Sequence, residues 1–112
     1  MMKTTNIADA ARKVSLEHGP DFYEMIVTGI AIGNVAMLGI PGEPFSGIGI
    51  GIKKAEGWGM IMPCCCTNDS TGYFPMQDAY DEGGYEARTS NFKAGVAEQI
   101  IADSVKLLDD LR

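Results

Sequence analysis

The sequence predicts an α/β fold: a small mixed β-sheet, made of a hairpin and a right-handed βαβ crossover, with helices packed on it. Two runs rich in Ile, Val and Met flank the turn-forming pair Gly33-Asn34. A third apolar run, "WGMIMPCCCT", follows a segment of helical periodicity, and an amphipathic stretch closes the chain. Strands separated by a helix-length segment are the signature of a crossover between parallel strands.

Taken in order, residues 5–17 read as a helix with Ile7, Ala10, Ala11 and Val14 along one stripe. His18-Gly19-Pro20 stops it, since Gly favours the position after a helix and Pro cannot continue one. "YEMIVTGIAIG" is β-branched and predicts a strand over residues 24–32. Gly33-Asn34 then predicts a hairpin, because both residues tolerate positive φ. "VAMLGI", residues 35–40, is nearly all apolar and belongs inside a sheet.

Residues 44–55 carry two signals. Gly-Ile alternation has the period of a strand. At helical spacing, however, Phe45, Ile48, Ile52 and Ala55 share a stripe, with Gly47 and Gly51 beside it and only Ile50 misplaced. Pro44 suits the first turn of a helix, where its missing N–H costs nothing. The helix is preferred, its glycines permitting close approach to the sheet. Residues 58–66 then return as a strand parallel to the second. A polar, turn-rich stretch follows over 68–91, with a short helical piece at 76–82. The last helix, about 92–111, presents Val96, Ala97, Ile100, Ile101, Leu107, Leu108 and Leu111.

A chain of 112 residues forms one domain with a modest core. Its net charge of −6, with nine scattered Lys and Arg, excludes a nucleic-acid partner from the expected functions. Charges, glycines and prolines interrupt every apolar run before it reaches the length of a membrane span. "MMKTTNIADAARK" has no apolar stretch of the kind a signal peptide needs. Cys64, Cys65 and Cys66 form one odd-numbered cluster, which fits neither a disulfide framework nor zinc-ligand spacing. They are read as small residues of a buried strand.

Glu43 lies at the carboxyl end of the second strand, where open α/β sheets gather ligands. Three roles are open to it: metal ligand, general base, or complement to the following helix N-terminus. "GIGIGI" matches no phosphate-binding motif. The loop after the third strand, "TNDSTGYFPMQDAYDEGGYEARTS", begins beside Glu43 if the second and third strands are neighbours. Asn68, Asp69, Ser70 and Tyr73 would then converge on it. The bland alternative is a solvated acidic loop, although long loops are more often functional than short ones.

"IPGEPF" at 40–45, "TNDSTGYFP" at 67–75 and "YDEGGYEARTS" at 80–90 together resemble the neutral (alkaline, non-lysosomal) ceramidase family, over residues 30–111. The resemblance implies a zinc-dependent hydrolase of the ceramide amide bond. It places Glu43 and Tyr73 among the zinc ligands and Tyr85 near the substrate. Two histidine ligands belong to an earlier part of the family's domain, and His18 matches neither. The chain is therefore expected to be the C-terminal portion of such a domain, inactive alone and weak in zinc binding. Pro44-Phe45 departs from the family's Phe-Thr run, which bears on specificity for the lipid-like amide. The rival expectation is a metal-free interaction module. In either case a homodimer is expected, to cover apolar surface and an unpaired strand edge.

Overall fold

The computed structural model describes residues 22–112, so the helix expected over residues 5–17, and His18, lie outside the described residues. Two strands, β1 (Thr28–Ile32) and β2 (Val35–Gly39), form the antiparallel hairpin. Ile32 pairs with Val35, leaving Gly33-Asn34 as a two-residue turn. Only Gly33 takes positive φ, as a II′ turn with glycine first requires. β1 starts later than residue 24. Residues 22–27 run up to it outside any ladder, and Tyr23, Met25 and Val27 turn toward Phe92 and Ile100.

After β2 come a two-residue strand, β3 (Glu43–Pro44), a helix, α1 (Ser46–Ile52), and β4 (Met60–Cys64). β4 pairs in parallel with β2, giving the sheet order β1-β2-β4 and placing β2 at the centre. The chain goes on through β5 (Tyr73–Phe74), α2 (Gln77–Glu82), α3 (Tyr85–Thr89) and α4 (Val96–Asp110). β3 and β5 form a second, parallel two-stranded sheet. No helix among the described residues is long and apolar enough to cross a membrane.

The Gly-Ile segment is a helix, and its burial follows the helical stripe. Ile48 and Ile52 are fully buried while Ile50 is 60% exposed. The expected boundary is corrected at its start. Pro44 belongs to β3, because the bridge to β5 is made by the N–H groups of Glu43 and Phe45, bonded to Gly72 and Phe74. A residue without an N–H fits the position between them. The glycines also act differently from expectation: a Cβ on Gly51 would meet Ile101 at 2.7 Å, and one on Gly47 would meet Met76 at 3.0 Å. Their close approach is to α4 and to Met76, not to the sheet.

α4 packs on the inner face of the three-stranded sheet. A Cβ on Gly29 of β1 would meet Leu111 at 2.7 Å and Leu107 at 3.2 Å. Ala97, Ile100, Ser104 and Leu108 form its buried stripe. Among the described residues, the buried hydroxyl of Ser104 and the buried indole N–H of Trp58 meet no hydrogen-bond partner. The core joins Ala36, Leu38 and Ile61 of the sheet to Ile48, Ile52, Phe74, Ile100 and Leu108. The opposite face of the sheet is different. Ile30, Ile32, Met37, Met60 and Met62 all stand exposed on it.

The cysteine expectation is also corrected. Cys64 ends β4 half-buried, while Cys65 and Cys66 are exposed and lie in the bend beyond it. Cys66 takes a positive φ of 46°, which turns the chain out of the strand direction.

The helical assignment of the Gly-Ile segment makes a sharp prediction, because a strand would put Ile48 and Ile50 on one face. Ile48→Ala should cost about 2–5 kcal/mol of unfolding free energy. Ile50→Ala should change it by less than about 0.5 kcal/mol. Urea denaturation of the two variants measures both, and equal losses would overturn the assignment.

Candidate functional site

The candidate site is built where the chain leaves β2. Residues 40–42 pass between two segments and bond to both. Ile40 donates its N–H to the Cys64 carbonyl and accepts from Thr67, while the Gly42 carbonyl accepts from Cys66. On the other side, the Pro41 carbonyl accepts from both the N–H and the hydroxyl of Thr71, at 3.0 and 2.7 Å. The β3–β5 bridge continues this clasp, with Glu43 N–H bonded to the Gly72 carbonyl at 2.9 Å and Phe45 N–H to Phe74 at 3.1 Å.

Glycine at position 42 follows from crowding. A Cβ there would lie 2.5 Å from the edge of the Phe74 ring and 2.7 Å from the Gly72 carbonyl oxygen. Any side chain would push β3 away from β5. The "PGE" of the sequence therefore has a local cause: a buried Pro41, a glycine that admits the neighbouring strand, and then the carboxylate.

The consequence is that Glu43 and Tyr73 are register partners. Paired residues of adjacent strands project to the same side, so carboxylate and phenol are neighbours. Their charges register this. The negative charge of Glu43 is the first cause holding the Tyr73 phenol above the ordinary tyrosine value, with desolvation, Tyr85 and Glu86 adding to it. Tyr85 opens α3, is exposed, and sets its ring edge-on to Tyr73 at 6.2 Å between centroids and 72° between planes. The three residues singled out from the sequence thus lie together.

The other three loop residues go elsewhere. The Asn68 side chain reaches the Thr28 hydroxyl on β1, Asp69 accepts from the Ser70 N–H, and the Ser70 hydroxyl lies 3.9 Å from the Cys66 sulfur. The helix-dipole role for Glu43 finds no support in the geometry. The N-cap of α1 is Phe45, no side chain caps it, and its first turn holds no acidic residue.

Sequence reasoning missed the residues that hold Tyr73 in place. Ser90 is buried and donates its hydroxyl to the Tyr73 carbonyl at 2.9 Å, while accepting from Phe92 N–H at 3.1 Å. The Tyr80 hydroxyl donates to the Phe92 carbonyl at 2.8 Å. Burial holds the Tyr80 phenol above its ordinary value. Nothing in the local pattern "RTSNF" distinguishes Ser90 from a solvated loop serine.

Among the described residues, no group of three or more His, Cys, Asp or Glu side chains converges as a metal cluster. The donors at this site are a carboxylate and a phenol. Both are hard oxygen donors, and two donors make up only part of a metal's ligand set. Their electrostatics suit a cation as well, because positive charge would oppose the effect of Glu43 on the phenol.

Two measurements check this geometry. Gly42→Ala should lower the unfolding free energy by about 1–3 kcal/mol through overpacking, and denaturant titration reads it. An unchanged midpoint would mean that the clasp is looser than the contacts require. Spectrophotometric titration of Tyr73 addresses the charge coupling. Tyr73 should hold its proton to higher pH than an ordinary tyrosine, and Glu43→Gln should move its midpoint down. The sign follows because removing a neighbouring anion favours the tyrosinate. No shift, or an upward one, would separate the two side chains.

No protein-family model, no curated protein and no solved structure matches this chain, so its functional reading rests on the geometry above.

Proposed function

We propose that this chain carries the carboxylate–phenol part of a zinc site of a ceramidase-like amidase acting on a lipid-like amide. The observation that supports the reading is the β3–β5 bridge, which makes Glu43 and Tyr73 partners and sets Tyr85 against Tyr73. Glu43 supplies an anionic oxygen and Tyr73 a phenolic one. Zinc, when bound, polarises a carbonyl and acidifies a water molecule. On this reading Tyr85, exposed beside the pair, contacts the substrate. Tyr73 keeps its proton unless a cation offsets the charge of Glu43, so its ligation depends on other ligands being in place.

Two oxygen donors hold zinc less firmly than the four ligands of a complete site. The chain alone is therefore a weak zinc binder without amidase activity. Zinc titration with tyrosinate absorbance as the readout tests this. Added zinc should draw the Tyr73 ionisation to lower pH, and the effect should vanish in Tyr73→Phe and shrink in Glu43→Gln. Identical zinc responses in wild type and both variants would overturn the site. Hydrolysis of an N-acyl amide by this chain alone would overturn its reading as part of a larger centre.

The bare apolar face of the sheet favours a second reading, that of an assembly module, and a homodimer belongs to both readings.

A further inference from the structure

We propose that the neighbouring thiols of Cys65 and Cys66 are a redox modification site, joined to each other by small disulfides of the glutathione class. Closing that bond releases Gly42 from its clasp beside Glu43. Both side chains are exposed, in the bend that follows β4. Cys64 is set apart from them: it is half-buried, holds ladder register with Gly39, and gives its thiol to the Met62 carbonyl at 3.4 Å. Free cysteine normally behaves as a small buried hydrophobe. Two exposed thiols in succession add nothing to the core, and what they keep is their chemistry.

The exchange balances. One thiolate of the pair attacks the reagent disulfide, forming a mixed disulfide and expelling one thiolate. The second attacks the sulfur now held on the protein and expels the other. The two cysteines are oxidised, the reagent is reduced to two thiols, and the cysteine protons pass to them. Geometry then sets the consequence. Consecutive Cα atoms lie about 3.8 Å apart across a trans peptide, closer than the roughly 4.4–6.8 Å of an ordinary disulfide. The ring closes only by turning the peptide that joins the two cysteines.

That peptide belongs to the clasp. Its N–H, from Cys66, donates to the Gly42 carbonyl at 2.8 Å, and its carbonyl, from Cys65, accepts from the Thr67 hydroxyl at 3.4 Å. Both ends of the bend are held. The Cys64 carbonyl accepts from Ile40, while Thr67 donates its N–H to the Ile40 carbonyl and leaves no room for a Cβ on Gly39. The distortion therefore falls on the amide between them, and Gly42, one residue before Glu43, loses its bond. Cys66 already has a φ of 46°, a conformation non-glycine residues seldom adopt, so the reduced bend depends on these bonds to keep its shape. A strained link of this kind is readily reduced, which makes the change reversible.

The inference goes beyond the zinc reading and does not rest on it, and the full chain without metal tests it. The reduced chain is treated with a small excess of glutathione disulfide, the reagent is removed, and intact mass and amide hydrogen exchange are read. Wild type should lose two of its three thiols, carry no bound glutathione, and recover both thiols in dithiothreitol. Cys64→Ser should behave in the same way, whereas Cys65→Ser and Cys66→Ser should form no internal link. In the oxidised chain the Cys66 and Glu43 amides should exchange at least about tenfold faster than in the reduced one, while Leu38 stays protected. Circular dichroism checks that each form is folded. An unreacted chain, a persistent glutathione adduct, a link lost in Cys64→Ser, or a disulfide between two chains overturns the pair. A Cys65–Cys66 link that leaves the Cys66 and Glu43 amides unchanged overturns the release of Gly42.

Discussion

The tight passage of residues 40–42 between the end of β4 and the strand β5 is the constraint on which the candidate site depends. Backbone hydrogen bonds from Cys66 and Thr67 hold the segment on one side, and those from Thr71 hold it on the other. The passage is narrow enough that Gly42 has no room for a Cβ beside Phe74 and the Gly72 carbonyl. It joins the three-stranded sheet to the two-stranded one, with no third element needed between them. It also fixes register: once Glu43 N–H meets the Gly72 carbonyl, Tyr73 is the residue opposite Glu43. The pairing of carboxylate and phenol is thus a result of backbone geometry, and the phenol position is reinforced through Ser90 and the Tyr73 carbonyl.

The rest of the fold follows from one-sided packing. α4 covers the inner face of the sheet, and α1 fits against α4 because Gly51 lets Ile101 come close. Burying Ile48 and Ile52 while exposing Ile50 gives α1 a narrow apolar stripe. Seven residues make too short a helix to be stable alone in water, so this packing is what sustains it. The same one-sidedness leaves the Ile and Met rows of the outer face open.

The sheet and α1 were legible because they depend on periodicity, which a sequence displays directly. Glycine at 33, apolar runs on either side of it, and the Phe45–Ile48–Ile52 stripe were enough to define hairpin and crossover. The second sheet was not legible, since two-residue strands are too short to show alternation. That is why Pro44 read as a helix start although it sits in β3. The cysteines misled for a related reason. Composition says that free cysteine is usually buried, but the turn at Cys66 carries Cys65 and Cys66 out of the strand. At the site, position alone suggested Glu43. Strand adjacency placed Tyr73 near it only as one of four loop residues, and Tyr85 was singled out only by the resemblance, because its nearness depends on a loop path that no local pattern encodes. Ser90 was invisible on the same grounds.

The pairing also narrows the roles left open for Glu43. As a complement to the helix dipole, a carboxylate should lie within the first turn. Glu43 lies before it, in a strand, and α1 begins at Ser46 with no acidic residue in its first turn. As a neighbour of Tyr73 it has the opposite effect from a stabilising partner of a charged group, since its charge opposes ionisation of the phenol. An anion beside a phenol does little for stability while both face solvent, where screening weakens the interaction. The arrangement gains purpose when positive charge sits between the two oxygens. Then the same proximity that disfavours the tyrosinate supplies two donors at once. This electrostatic logic, and not the presence of a carboxylate after a strand, is what supports the proposed cation at the pair.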